Sequence, residues 1–234
     1  MAYDSANQVV LLFGGTVQDQ RKYLERNDLW IWDGKDWTLA TPAAPIPAIR
    51  EGAVMFYDVA LKRVVLFGGQ QANERYYADL WAWGGHQWSL LPVMGGPQGR
   101  SDAALAYDVG RGELLVFGGQ GFSPGAGKGE HGLELGDTWI LGATGWKQVN
   151  SSPAPTKRYG AATAYDPQSD RVLIVGGFEC PKRNDLWAWT GSAWQSIPNS
   201  GSAPPALGGA GLVNDPLRKV DVLFGGSVPE CVSS

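Results

Sequence analysis

One thirteen-residue pattern recurs five times along this chain, and nothing else in the sequence restricts the fold as tightly. The copies are "YDSANQVVLLFGG" from Tyr3, "YDVALKRVVLFGG" from Tyr57, "YDVGRGELLVFGG" from Tyr107, "YDPQSDRVLIVGG" from Tyr165 and "NDPLRKVDVLFGG" from Asn214. In all five, the first residue lies eleven positions before the first glycine of the pair. Four copies are followed by a second block: "NDLWIWDGKDW", "ADLWAWGGHQW", "GDTWILGATGW" and "NDLWAWTGSAW". In each block the first and last tryptophans are seven residues apart, and all 11 tryptophans of the chain fall in these blocks. Fixed-period self-similarity signifies a repeat architecture in which each unit buries its apolar side against the next. The tryptophans are therefore expected to pack between repeats. The other role open to them is a sugar-stacking platform.

Each unit reads as four short strands. Strand a ends in Tyr-Asp, whose carboxylate suits the start of a turn by accepting local backbone N–H groups. Strand b is the β-branched and aliphatic run before Gly-Gly, as expected of a strand buried on both faces. Strand c carries the Asp-Leu-Trp segment, and strand d starts at the last tryptophan. The c–d turns "DGKD", "GGHQ", "GATG" and "TGSA" are short and glycine-bearing, as tight hairpins require.

Tyr-Asp, an apolar run, Gly-Gly, a variable loop, Asp-Leu-Trp and a final Trp together resemble the Kelch repeat. The resemblance covers nearly the whole chain and implies an all-β Kelch-type β-propeller of four-stranded antiparallel blades. One domain is expected over 1–234, with repeats at about 1–45, 46–96, 97–154, 155–203 and an incomplete 204–234. "MAYD" begins partway through strand a, and the sequence stops after strand b of the fifth unit, giving about four and a half repeats. Three expectations follow: a fragment of a six- or seven-bladed ring, an imperfect five-bladed ring, or a homo-oligomer in which a second chain covers the incomplete blade edge.

Composition excludes several functions. Net charge is −4, the pI is about 5.2 and there is no basic run, so nucleic acid is not an expected partner. No apolar run reaches the roughly 18 residues of a membrane-spanning helix, so no membrane is expected either. There is no Ser-His-Asp set, phosphate-binding loop or Cys-x-x-Cys. Kelch-type copper oxidases need several Tyr, Cys and His ligands, and the two histidines here, His86 and His131, fall on opposite faces of such a fold. No cofactor is expected.

The chain's variation is concentrated in the b–c loops. From the second glycine to the aspartate two residues before the tryptophan the spacing is 13, 10, 18 and 8 residues. A rigid scaffold with one set of variable loops is a common way to present a site. These loops carry Arg21, Tyr23, Arg26, Arg75, Tyr76, Tyr77, Phe122, Lys128, Lys182 and Arg183, the Arg–Tyr chemistry of interface hot spots. Arg50, Arg100 and Arg158 each lie seven residues before the Tyr of Tyr-Asp, and Leu207 holds that place in the fifth unit. In Kelch domains that bind acidic peptides, arginines at similar positions line the pocket. The resemblance therefore implies an anion-binding funnel, while repetition itself argues for a structural role.

The expected function is a non-catalytic binding module presenting its b–c and d–a loops to a protein, an acidic peptide, or a small anionic or glycan ligand. Its expected ligand residues are Arg50, Arg100, Arg158, Tyr23, Arg75, Tyr76, Tyr77 and Phe122. The alternative is an enzyme, or part of one, using Glu130, His131 and Glu134 of the third-unit loop. Kelch-type specifier proteins hold iron through clustered Glu, Asp and His, but their spacing is not reproduced here, and no metal site is expected. A third reading is a purely structural repeat of a larger surface protein. Cys180 and Cys231 both follow a glycine pair. As a disulfide they imply an oxidising, extracellular setting, and as free thiols they imply none.

Overall fold

The structure is a computed structural model that describes residues 1–19, 22–72, 75–122, 132–181 and 183–228. It is all-β and has the Kelch-type propeller's repeated four-stranded antiparallel sheet. In the first repeat, strands a to d are Ala2–Asp4, Val9–Asp19, Lys22–Trp32 and Trp37–Ala40. In the second they are Val54–Asp58, Arg63–Phe67, Leu80–Trp83 and Trp88–Leu90. The third has Ala104–Asp108, Glu113–Gly121, Leu133–Gly142 and Gly145–Val149, and the fourth has Ala162–Asp166, Arg171–Val175, Leu186–Trp189 and Trp194–Ile197. The fifth has strands a and b, Gly211–Asp215 and Val220–Phe224.

The repeated aspartate after tyrosine turns the chain between strands a and b. Asp4 Oδ1 accepts the N–H groups of Ala6 and Asn7, and Asp58, Asp108, Asp166 and Asp215 accept equivalent ones. These local bonds give the backbone an alternative to the ladder and so end strand a where the sequence places the turn.

Two compact units are present: Met1–Ser101 with Gly121–Gly132, and Asp102–Gln120 with Leu133–Ser234. In the first, Leu11, Phe13 and Leu29 of repeat one pack on Met55, Val64, Leu66, Trp81, Trp83 and Trp88 of repeat two. In the second, Leu115, Phe117 and Ile140 of repeat three pack on Val172, Ile174, Trp189 and Trp194 of repeat four. The tryptophans of complete repeats two and four are thus largely core. Each Asp-x-Trp is also closed locally, because the indole N–H of Trp30, Trp81, Trp139 and Trp187 donates to the aspartate two residues earlier.

The b–c segment of repeat one departs from the expected loop. Strands b and c continue past the glycine pair as a ribbon that pairs Thr16 with Glu25, Val17 with Leu24 and Gln18 with Tyr23. A register shift between Phe13 and Gly15 lets them continue. Gly14 takes φ 64°, and a Cβ there would come within 2.7 Å of the Arg50 carbonyl oxygen, so only glycine fits the bulge without strain.

Candidate functional site

The arginines before strand a join neighbouring repeats. The Arg50 amide donates to the Arg26 carbonyl, and the Arg50 carbonyl accepts from Gly15, so its backbone is stitched to repeat one. Its side chain turns into repeat two. Nη1 donates to the Gly68 carbonyl at 2.9 Å and to Asp79 Oδ1 at 2.6 Å, Nη2 donates to Asp79 Oδ2 at 3.0 Å, and Nε donates to the Ala48 carbonyl. The guanidinium also lies 4.0 Å from the centre of the Tyr77 ring. Arg158 repeats the device with Gly176, Thr156 and Asp185, and Glu179 Oε1 sits 3.0 Å from its Nη2. Arg50, Arg100 and Arg158 are each 1% exposed. Leu207 keeps only the backbone stitch, through the Gly177 amide.

This arrangement explains the repetition. The planar fork of arginine satisfies a bidentate carboxylate and a buried carbonyl at once, which lysine cannot. The guanidiniums expected to line an anion funnel are buried within the scaffold. The sequence signal for this role is repetition: an arginine holds the same place in three repeats, each of which also supplies Asp-x-Trp.

The electrostatics agree. Burial pushes the Asp79 carboxyl upward, but hydrogen bonds and charge from Arg50, with the Trp81 indole, outweigh it and hold the group below its usual range. Asp185 follows the same balance with Arg158 and Trp187. Glu179 goes the other way: burial, helped by the Asp185 charge, raises it against Thr156, Arg158 and Arg183.

The remaining expected residues come together on the loop side of the first unit. Tyr23, on the ribbon, is 73% exposed, beside exposed Val17 and Leu24. A cavity of about 690 Å³ opens there, lined by Thr16, Tyr23, Leu24, Glu25, Ile49, Glu51 and Ala72. Glu51 accepts from Thr16 Oγ1 and, at 3.1 Å, from Gln70 Nε2; Glu25 accepts the Ala72 amide. That last bond ties the second repeat's loop to the ribbon. On that loop Arg75 is exposed, and Tyr77 is buried beneath Arg50 and Arg75 with its hydroxyl on Gln71. Tyr76 meets Phe122 edge-on with ring centres 4.9 Å apart. Sequence reasoning missed Glu25 and Glu51, which belong to no repeated motif.

The third-unit alternative has little described structure. Arg21, Lys128, Glu130, His131, Lys182 and Cys231 lie outside the described residues. Glu134 is 3.7 Å from Lys157 Nζ, and His86 is exposed in a c–d turn. No group of three or more His, Cys, Asp or Glu suited to a metal occurs among the described residues. Cys180 is disulfide-bonded.

Residues 2–226 match the KLHDC2/KLHL20/DRC7 Kelch-repeats domain. The chain is also similar to tRNA wybutosine-synthesizing protein 4 of Emericella nidulans, with 28% identity over 137 residues. That stretch is 53% of this chain and 12% of the relative, so the chain spans a small part of that protein. With the family match running across all five repeats, and with the Gly-Gly, Arg and Asp-x-Trp positions joined in one clamp, the chain belongs to the Kelch-repeat family.

Proposed function

We propose that the chain is a non-catalytic protein-interaction module, and that the loop side of repeats one and two takes a segment of a partner protein. One observation carries this reading. The ribbon of repeat one brings Tyr23 and Leu24, both exposed, to a cavity whose lining comes from both repeats. An exposed tyrosine with aliphatic neighbours beside a concave site is the chemistry of an interface anchor.

Glu25 and Glu51 give the cavity a negative lining. The partner segment we propose therefore presents a lysine or arginine, whose aliphatic stem covers Leu24 and Ile49 while its head meets the carboxylates. The earlier expectation of an acidic ligand rested on Arg50, Arg100 and Arg158, whose side chains are buried in the scaffold. Arg75, Tyr76 and Phe122 extend the proposed surface, and Tyr77 supports it from below.

The test uses immobilised random-peptide libraries with the wild-type chain, followed by affinities for the selected sequences. Enrichment of basic peptides is expected, with binding weakened about tenfold or more by Tyr23→Ala or Glu51→Gln and unchanged by His86→Ala in the c–d turn. Selected peptides that ignore Tyr23 and Glu51 would place the binding surface elsewhere.

A further inference from the structure

In repeats one and four an asparagine stands directly before Asp-x-Trp and ties strand c to the d–a connection. Asn27 Nδ2 donates to the Pro47 carbonyl at 3.2 Å, and Asn184 Nδ2 donates to the Pro204 carbonyl at 3.0 Å. Repeat three has Gly136 at this place, and there Lys157 closes in: a Cβ on the glycine would come within 3.1 Å of the Lys157 Cα. Repeat two has Ala78. Alanine offers the d–a connection no donor, and a second cavity of about 280 Å³ opens beside it.

Most of its wall comes from the end of strand d and the segment after it. Repeat two reads "LLPVMGG" there, where repeats one, three and four read "LATPAAP", "QVNSSPA" and "SIPNSGS". The Leu91 amide donates to the Leu80 carbonyl and the Val93 amide to the Leu91 carbonyl, so the backbone around the cavity is held from within. Leu90 and Met94, which line it, stay 54% and 89% exposed. Methionine beside leucine is an adaptable apolar surface for a partner side chain. Arg50 ties this cavity to the one that Tyr23 lines. Its chain neighbours Ile49 and Glu51 line the first, and Asp79, which its guanidinium grips, lines the second. Both Asp79 oxygens accept from Arg50, and one also accepts from Trp81, so its charge is balanced and the second cavity is apolar in character.

We propose that this second cavity takes a large apolar side chain (leucine, methionine or phenylalanine) of the same partner segment whose basic residue enters the first. The occupant follows from continuity: the two cavities lie one arginine side chain apart, so a segment held at the first has the second within reach. An extended segment rises about 3.3 Å per residue, which puts the apolar residue roughly three to five positions from the basic one. The second anchor rests on the loop-side reading above and adds an apolar determinant to it.

A random-peptide library panned in parallel on the wild type, Ala78→Asn and Glu51→Gln tests it. Asparagine holds this place in repeats one and four, so Ala78→Asn fills the cavity without a change of fold, which urea unfolding checks. Wild-type pools should carry a basic residue and a large apolar one at a fixed spacing. Pools from Ala78→Asn should keep the basic residue and lose the apolar one, and a peptide selected on the wild type should bind that variant about tenfold more weakly. Changing the peptide's apolar residue to alanine should weaken binding to the wild type by a similar factor and leave binding to Ala78→Asn nearly unchanged. Met94→Asp, at an exposed position, should weaken the same peptide. Wild-type pools with no apolar residue linked to the basic one, or a peptide that ignores both Ala78→Asn and Met94→Asp, would overturn the second anchor and leave the loop-side reading standing. Pools with an apolar residue but no basic one, indifferent to Glu51→Gln, would overturn the loop-side reading instead, and with it a segment shared by the two cavities.

Discussion

Replacing Arg50 with methionine separates a structural arginine from a ligand-binding one. Methionine keeps the apolar stem and removes five N–H donors. Asp79 then loses both its hydrogen bonds from the guanidinium and its counter-charge. Removing one partner of a fully buried pair costs about 3–5 kcal/mol. Asp79 is 27% exposed, so water takes up part of that loss and the low end, ~3 kcal/mol, applies. The Gly68 carbonyl also loses a buried donor, adding roughly 1 kcal/mol. The extra packing of methionine against Tyr77 offsets some of this. The net expectation is about 3–4 kcal/mol, and for a chain of this length each kcal/mol lowers Tm by ~2–4 °C. Urea and thermal unfolding of the wild type, Arg50→Met, Asp79→Leu and the double variant give the coupling, expected at about 2 kcal/mol. It should persist in high salt, because a buried pair is screened weakly. A stability loss below about 1 kcal/mol with coupling near zero would refute the clamp. If such a variant also lost peptide binding, Arg50 would be a ligand residue.

Three further outcomes are expected. Acidification should destabilise the fold. Asp79 and Asp185 have folded pKa values held below their unfolded ones, so their contribution is present above about pH 4 and is lost as pH falls through the folded values, whereas Glu179, raised by burial, slopes the opposite way above that point. Unfolding followed against pH should show the acid limb flatten in an Asp79→Asn, Asp185→Asn double variant. The exposed bridge from Arg111 to Asp170 should matter little: Asp170→Asn, which leaves Arg111 on Asp108, costs under about 1 kcal/mol in low salt and less in high salt, because Asp170 is 53% exposed. Gly14→Ala should cost at least about 1 kcal/mol more than Gly34→Ala in urea unfolding, since both positions have positive φ but only Gly14 would press a Cβ onto a backbone carbonyl.

What was legible in the sequence was whatever every repeat needs. Tyr-Asp marks the a–b turns because the aspartate accepts N–H groups two and three residues ahead, a purely local effect. The apolar run before Gly-Gly locates strand b because successive side chains of that strand are all buried, as Val64 and Val65 are at 0% and 1% exposure. The ribbon beyond Gly15 was not legible. Its polar sequence "TVQDQRKYLERN" has the composition of a loop, and only the bulge at Gly14 allows the ladder to continue. The arginines were located correctly in the repeat, but which way a guanidinium turns is a tertiary fact. Its aspartate lies 29 residues away for Arg50 and 27 for Arg158, too far for local rules to pair them.

Repetition therefore works as a filter for function. A residue that recurs at a fixed place in the repeat serves the junction between units, as Arg50 with Asp79 and Trp88 with Phe13 do. A residue that one unit alone possesses is released from that duty and is free to be selected for something else. Glu25, Glu51 and Tyr23 are of this second kind, and they share one cavity. Mutations at the two kinds of position should accordingly separate by readout. The first changes unfolding free energy, and the second changes affinity at constant stability.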